Sequence, residues 1–126
     1  MNVADSSGWL EYFADGANAA AFAPVIEGTE ELVVPSIVVF EVGRRVWQQR
    51  GEEDAATAVA LLRRFRVVPL DDALAARAVS AAVEHKLAMA DSIIYATAQS
   101  LGATLWTQDA DFEGLPNVRY LPKPAA

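Results

Sequence analysis

Five acidic residues of this 126-residue chain lie inside or directly after apolar runs, where charged side chains are rarely found. They are Asp5, Glu41, Asp91, Asp109 and Asp111. A buried carboxylate is costly unless a positive charge or hydrogen bonds compensate for its lost hydration. Several acids placed in this way therefore suggest one site that holds a divalent cation.

The remaining residue types narrow the identity of that cation and its chemistry. The chain has no cysteine and one histidine, so thiolate and multi-histidine metal sites are excluded. Carboxylate oxygens favour hard ions, which indicates Mg²⁺ or Mn²⁺. The hydroxyls of Ser6, Ser7 and Thr107 could orient the carboxylates or their waters. Such sites activate water for attack on a phosphate ester, which is the chemistry of nucleases and phosphatases.

The composition sets the class of protein. A length of 126 residues and a hydrophobic content of 53% predict one domain with a sizeable core. We expect this domain to cover residues 1–122, with a frayed tail at 123–126. A net charge of −7 argues against a nucleic-acid binder, unless several of the acids share a pocket filled by cations. Neither a signal peptide nor a membrane span is evident, so a cytoplasmic location is the default expectation.

Apolar patterning predicts strands alternating with helices. The expected strands are 2–5, 32–34, 66–70, 103–107 and 118–121, and the expected helices are 6–13, 17–27, 36–49, 53–65, 72–86 and 90–101. We expect Pro24 to split or bend the second helix. This alternation is typical of a parallel sheet covered by helices on both faces.

The predicted elements bring four of the acids towards one crevice. Asp5 lies at the carboxyl end of the first strand, and Asp109 lies just past the carboxyl end of a later one. Sites in open α/β sheets form outside these strand ends. Asp91 stands in the first turn of a helix, where the dipole favours an anion, and Glu41 lies about one and a half turns into another helix.

Four segments in this order resemble the PIN-domain ribonucleases, and more closely the VapC-type toxins of toxin–antitoxin pairs. They read VADSS at 3–7, PSIVVFEV at 35–42, LAMADSIIYATA at 87–98 and GATLWTQDADF at 102–112. The resemblance covers nearly the whole chain. It implies a three-layer α/β/α sandwich with a central, mostly parallel sheet.

The resemblance also implies an activity, a cofactor and partners. The activity is that of a Mg²⁺- or Mn²⁺-dependent endoribonuclease, which cleaves RNA with metal-activated water and leaves a 5′-phosphate and a 3′-hydroxyl. The partners are a second copy of the chain, in a homodimer, and a small antitoxin that blocks the active site with a basic side chain.

Site roles are carried over by matching positions. The catalytic and metal-binding acids are Asp5, Glu41, Asp91 and Asp109, with Asp111 as a fifth metal ligand at a position that varies in the family. Ser7 and Thr107 match positions that support the site. From the sequence itself, Arg44 and Arg45 follow Glu41 by three and four residues, so a helix would bring them near it as candidate RNA phosphate contacts.

Other interpretations remain open at this point. Asp5 could simply cap a helix, and Glu41 could form an ion pair with Arg44 or Arg45. A metal-dependent phosphatase would use Asp109 and Asp111 as a DxD pair, although no such pair follows the first strand. A catalytically weak PIN-like module would bind RNA or a partner without cutting. Cleavage of a circular or end-blocked RNA would separate these classes.

Overall fold

The computed structural model describes residues 1–124 and contains five strands, six α-helices and one short 3₁₀ helix. The strands are β1 (Asn2–Ala4), β2 (Leu32–Pro35), β3 (Arg66–Val68), β4 (Thr104–Thr107) and β5 (Val118–Tyr120). The helices are α1 (Ser6–Phe13), α2 (Ala19–Glu27), α3 (Ser36–Arg50), α4 (Glu52–Leu62), α5 (Asp72–His85) and α6 (Met89–Ser100), and the 3₁₀ helix is Ala110–Phe112.

The strands form one sheet in the order β3-β2-β1-β4-β5, and every neighbouring pair is parallel. This confirms the predicted α/β class with a parallel central sheet. Strand β2 lies on one side of β1 in the sheet, and strand β4 lies on the other side. The gap between the carboxyl ends of β1 and β4 is therefore the point where the strand order reverses, and such a gap forms a ligand-binding crevice in sheets of this type.

Helices cover both faces of the sheet and complete three layers. Parallel crossovers are right-handed, which places α1 to α4 on one face and α5 and α6 on the other. The main core packs the sheet against helices of both groups and includes the fully buried Val33, Leu105 and Trp9 together with Ile94 and Tyr95 of α6. A smaller apolar cluster lies between α5 and α6, around Leu74 and Ile93.

The predicted elements are all present, with ends that shift by a few residues. The β-branched start of α3 is helical, as predicted, because Pro35 ends β2 and the helix begins at Ser36. Pro24 was expected to split or bend α2, and the helix is not split, since it continues through Pro24 from Ala19 to Glu27. Ala20, whose carbonyl loses its usual partner to Pro24, is exposed together with Pro24, so water can satisfy that carbonyl.

No helix among residues 1–124 is long and apolar enough to cross a membrane. The predicted boundary of the domain at residue 122 stays a prediction. Of the predicted tail at 123–126, residues 125 and 126 lie outside the described residues.

Candidate functional site

Asp5 lies directly after β1 and begins α1, so it is both a helix cap and a crevice residue. Its Oδ1 accepts hydrogen bonds from the Gly8 backbone N–H at 3.0 Å and from Ser7 Oγ at 2.7 Å. Its Oδ2 accepts a bond of 2.6 Å from Thr107 Oγ1. The side chain is 3% exposed, and these donors fix its position. The capping interpretation and the site interpretation of Asp5 are therefore compatible.

Thr107 and Ser7 connect the ends of the two central strands. Register pairs Ala4 of β1 with Trp106 of β4, which sets Thr107 beside Asp5. The Thr107 hydroxyl donates to Asp5 and also accepts the backbone N–H of Asp109 at 2.9 Å. The Ser7 hydroxyl likewise accepts the backbone N–H of Gln108 at 3.3 Å. Both predicted supporting residues thus hold the loop after β4 against the start of α1.

Glu41 reaches the crevice from the second turn of α3. Its Oε1 accepts a hydrogen bond of 2.6 Å from Ser6 Oγ. Sequence reasoning noted the Ser6 hydroxyl but did not include Ser6 in the site. The partner lies 35 residues away, so only the tertiary structure reveals the pair. Arg44 and Arg45 form no ion pair with Glu41, so the helix ion-pair interpretation is wrong.

Asp91, Asp109 and Asp111 form the outer part of the site. Each offers one carboxylate oxygen, and these three atoms lie within 4.8 Å of one another. Asp109 begins the 3₁₀ helix, where its Oδ1 accepts the backbone N–H of Asp111 at 2.9 Å. Asp91 occupies the first turn of α6, as predicted. No donor among the described residues reaches the Asp91 carboxylate.

The electrostatics join all five acids into one cluster, which we call the acid cluster. Burial, followed by the charges of Asp109, Asp5, Glu41 and Asp111, raises the pKa of Asp91 from 3.8 to about 7. Burial, with a smaller contribution from the charge of Asp109, raises the pKa of Asp5 to about 6 against the lowering effect of its three hydrogen-bond donors. Each of the other four acids predicted from sequence is therefore close enough to repel Asp91.

No basic side chain among residues 1–124 forms an ion pair with an acid of this cluster. Within residues 1–124 the one ion pair is Arg66 with Glu31, at 3.3 Å on the exposed surface. The carboxylate oxygens of Asp91, Asp109 and Asp111, which lie within 4.8 Å of one another with no nitrogen or sulfur ligand in the group, suit a hard divalent ion. The donor set thus fits Mg²⁺ or Mn²⁺, in agreement with the ligand chemistry expected from sequence.

A shallow cleft between α1 and α3 opens beside Glu41. We call it the arginine cleft, and it is lined by Ser6, Leu10, Glu41, Arg44, Arg45 and Gln48. The two arginines are exposed and lie within one turn of the acid. The structure therefore places Arg44 and Arg45 next to the acid cluster, where the sequence predicted them.

Comparison with known families finds one matching domain. The sequence matches the family model of the PIN domain over residues 3–117. No curated protein matches the chain by sequence.

Solved structures with the same fold cover nearly all of the chain. A toxin–antitoxin complex from Klebsiella pneumoniae is 26% identical, covers 94% of this chain and 96% of its own, and has a TM-score of 0.76. VapC20 of Mycobacterium tuberculosis, described as a toxin that cleaves the sarcin–ricin loop, is 19% identical with a TM-score of 0.74, and covers 92% and 95% of the two chains. VapBC2 of Rickettsia felis, solved with a DNA fragment from its promoter, is 15% identical with a TM-score of 0.73, and covers 96% and 97%.

Proposed function

This chain belongs to the PIN-domain family, and we propose that it is a Mg²⁺- or Mn²⁺-dependent endoribonuclease, the toxin of a toxin–antitoxin pair. The observation that carries the proposal is a cluster of five acids, drawn from separate segments, that meets where the strand order reverses and has no internal cation. Such a cluster is tolerable at neutral pH only if protons or cations compensate for it. The ribonucleases of this family cleave RNA with metal-activated water, and a cation held by this cluster would supply that chemistry.

Each acid has a role in this proposal. Asp5, Glu41, Asp91 and Asp109 would hold the ion or ions and carry catalysis, and Asp111 would be a fifth ligand. A bound Mg²⁺ or Mn²⁺ would polarise the phosphate and lower the pKa of water. The protein's own side chains would position the acids, accept a proton from water and contact the RNA phosphates.

The supporting residues position the acids. Thr107 and Ser7 fix both oxygens of Asp5, so one face of the crevice is rigid before substrate arrives. The Asp91 carboxylate, which has no donor within the described residues, is available to accept a proton or hydrogen bond from the attacking water. Arg44 and Arg45 would contact phosphates beside the cleaved bond, because they line the cleft next to Glu41.

The proposal can be tested with a circular RNA that offers no ends. We expect the purified chain to linearise it in millimolar Mg²⁺ or Mn²⁺, to stop in EDTA, and to leave a 5′-phosphate. Asp91→Asn should lower the rate at least about 100-fold, since it removes a carboxylate from the site. Asp72→Asn is the matched control, because Asp72 also lies in the first turn of a helix but away from the cluster.

Two results would contradict the proposal. Release of phosphate from RNA ends with the circle left intact would indicate a phosphatase. Stable binding of the circle in Mn²⁺, without cutting, would indicate a non-catalytic module.

The toxin role and its partner rest on the solved structures of the same fold. The Klebsiella neighbour, at 26% identity, is a toxin–antitoxin complex. By this likeness we propose that a small antitoxin protein covers the acid cluster and places a basic side chain among its carboxylates. Expression of the wild-type chain should arrest bacterial growth, whereas Asp91→Asn should not. Co-expression of a short neighbouring reading frame should restore growth, and its failure to bind the toxin would contradict this part.

We also propose a homodimer, with α5 as its contact. Val79 and Val83 lie one turn apart on α5 and are 63% and 74% exposed, which leaves an apolar face uncovered. Light scattering should give twice the mass of one chain. Val79→Lys combined with Val83→Lys should give a folded monomer, and an unchanged mass would place the contact elsewhere.

A further inference from the structure

A glutamine between two residues of the site is buried, although glutamine is mostly found at protein surfaces. Gln108 stands between Thr107, which holds Asp5, and Asp109 of the acid cluster, and it is 7% exposed. Its backbone N–H donates to Ser7, but that bond does not involve the side chain. Buried polar side chains are nearly always hydrogen-bonded, and the partner of this one lies outside the acid cluster.

The partner is Asn18, in the segment that leads from α1 to α2. Its Nδ2 donates to Gln108 Oε1 at 3.1 Å and to the backbone carbonyls of Pro122 at 3.2 Å and Leu121 at 3.5 Å. Asn18 is also the N-cap of α2, where an asparagine side chain ordinarily accepts a backbone N–H of the helix. It forms no such bond here. Its amide instead joins the loop after β4 to the segment after β5, and we call Asn18 and Gln108 the amide clamp.

Two backbone hydrogen bonds hold the amide clamp in place. The Asn18 backbone N–H donates to Glu11 Oε2 at 2.9 Å, which ties the clamp to α1. The Leu121 backbone N–H donates to the Thr107 carbonyl at 2.8 Å, which ties the segment after β5 to the end of β4. The side-chain bonds of Asn18 cross 90 to 104 residues of sequence, so no local pattern predicts them.

The amide clamp holds the loop that carries two of the acids. Successive side chains at the end of a strand face opposite sides, so Thr107 faces the crevice while Gln108 reaches Asn18. Asp109 follows Gln108 directly, and its Oδ1 accepts the backbone N–H of Asp111. A displacement of Gln108 would therefore move both of these carboxylates relative to the rest of the acid cluster.

We propose that Asn18 and Gln108 are positioning residues, and that their clamp on this loop makes the site prefer a small divalent ion. Mg²⁺ demands near-ideal octahedral geometry at about 2.1 Å, whereas Ca²⁺ accepts about six to eight oxygens in flexible arrangements at about 2.3–2.6 Å. A rigid loop favours the smaller ion, and a loosened loop loses that preference. This inference rests on the proposed metal-dependent function and specifies how the site selects its ion.

A second asparagine provides the matched control for a purely structural role of the clamp. Asn2 is 8% exposed, donates to Glu30 at 2.9 Å and accepts from Trp106 Nε1 at 2.9 Å. It begins β1, whereas the acid cluster lies at the carboxyl end of that strand. Replacement of either asparagine removes an amide with long-range hydrogen bonds, but only replacement of Asn18 should alter the ion preference.

The test measures ion binding directly, without RNA. Free Mn²⁺ has an EPR signal that bound Mn²⁺ loses, so a titration gives its Kd, and competition with Mg²⁺ or Ca²⁺ gives theirs. We expect the wild type to prefer Mg²⁺ to Ca²⁺. Asn18→Ala and Gln108→Met should each raise the Kd for Mg²⁺ about tenfold and the Kd for Ca²⁺ less than about threefold. Asn2→Ala should lower the Tm and leave both constants unchanged.

A conservative variant separates the hydrogen bond from the bulk of the side chain. Gln108→Glu keeps an oxygen that accepts from Asn18 and should preserve the preference for Mg²⁺, because its added charge strengthens the binding of both ions. Gln108→Met has a similar length but accepts no such bond, so it should lose the preference. Asn18→Ala and Gln108→Met break the clamp from opposite ends, so one folded variant of the two is sufficient.

Several outcomes would overturn this inference. They are a wild type that binds Ca²⁺ as tightly as Mg²⁺, clamp variants that bind like the wild type or weaken both ions equally, and a Gln108→Glu variant that loses the preference as fully as Gln108→Met. An equal change in Asn2→Ala would show that general destabilisation alters the site. If the wild type binds Mg²⁺ and cuts circular RNA while the clamp variants behave like it, only this inference fails. If the wild type neither binds a divalent ion nor cuts RNA, the proposed function itself fails.

Discussion

The Asp5 carboxylate accepts three hydrogen bonds from its own protein, whereas the Asp91 carboxylate accepts none from the described residues. Both face the same crevice and both have raised pKa values. Asp5 is held where β1 ends and α1 begins, with strand β4 contributing one of its donors. Asp91 projects from the start of α6 towards other acids.

The contrast between Asp5 and Asp91 divides the site into an anchored inner part and an outer part whose negative charges call for an external cation. In the inner part, the Asp5 carboxylate already accepts three hydrogen bonds, so we expect this part to change little when a solute binds. The outer part, with Asp91, Asp109 and Asp111, has carboxylate oxygens close together, and none of these acids forms an ion pair within residues 1–124. We therefore expect perturbations of the outer part to report on cations, and those of the inner part to report on the fold.

The largest expected effect separates Asp91→Asn from Asp5→Asn. Both should reduce cleavage at least about 100-fold, because each removes a charged oxygen from the site. Without metal, Asp91→Asn should raise stability by about 1–2 kcal/mol, since it relieves repulsion and breaks no hydrogen bond. Asp5→Asn should instead be neutral or destabilising, because its amide cannot accept from all three donors. Chemical denaturation in EDTA measures both, and equal stability changes would contradict the contrast.

The next effect is stabilisation by divalent ions. We expect Mn²⁺ or Mg²⁺ to bind the folded site and not the unfolded chain, which should add about 2.7 kcal/mol to the free energy of unfolding at 100 times the Kd and raise the Tm by several degrees. Asp91→Asn should lose most of this shift, whereas Asp72→Asn should keep it. A thermal scan with and without EDTA measures the effect. A wild-type Tm that changes neither with the divalent ion nor with EDTA would contradict a cation site.

The pH dependence should follow the two raised pKa values. The folded pKa values of Asp5 and Asp91 lie above 3.8, so the folded protein holds more protons than the unfolded chain between about pH 4 and 7. The stabilising contribution of these protons is complete below about pH 4 and is lost as the pH rises through about 6 to 7. Metal-free protein should consequently have a lower Tm at about pH 8 than at about pH 5.

Mg²⁺ should reduce that difference, and so should Asp91→Asn, because each removes uncompensated charge at high pH. Thermal scans of the wild type, of Asp91→Asn and of the control Asp72→Asn measure these differences in Tm. A wild-type protein whose stability rises steadily from about pH 5 to 8 without metal would contradict the raised pKa values.

A smaller effect is expected from the hydroxyl that anchors the inner part. Thr107→Val keeps the shape but leaves Asp5 Oδ2 and the Asp109 backbone N–H without this partner, at a cost of about 2 kcal/mol. Thr57→Val, whose hydroxyl makes an exposed bond to Glu53 within α4, should cost far less. Urea denaturation measures both. A Thr107→Val protein as stable as the Thr57→Val control would show that the network does not hold the strand ends.

The smallest effect concerns Ser6, which holds Glu41. Ser6→Ala should lower stability by only about 0.5–1 kcal/mol, yet it should raise the Mn²⁺ concentration needed for half of the Tm shift. Ser6→Thr keeps the hydroxyl and should restore the metal response. Ser100→Ala, which removes a hydroxyl bonded only within its own helix region, serves as the control. An unchanged Mn²⁺ midpoint in Ser6→Ala would show that Glu41 needs no such support.

Local patterns were sufficient to predict most of the fold. Alternation of apolar strands with helices of suitable period gave the elements, and Pro35 marked the change from β2 to α3. The sequence left open whether Pro24 splits or bends α2, because exposure of its helix face, which makes the broken backbone bond tolerable, is a tertiary property. The Ser6 to Glu41 bond escaped prediction because no local pattern links residues 35 positions apart.

The sequence alone determined that this chain carries carboxylates within or directly after apolar runs. It therefore also determined that protons, hydrogen bonds or cations must compensate for their charge. It also determined a parallel sheet whose strand ends carry Asp5 and Asp109. Only the tertiary structure decided which acids are anchored and which are not, because strand register sets Thr107 beside Asp5, while no donor among residues 1–124 reaches the Asp91 carboxylate. It also decided that Phe40 and Trp47 remain exposed beside the cluster, because burial depends on which neighbouring elements cover a helix face.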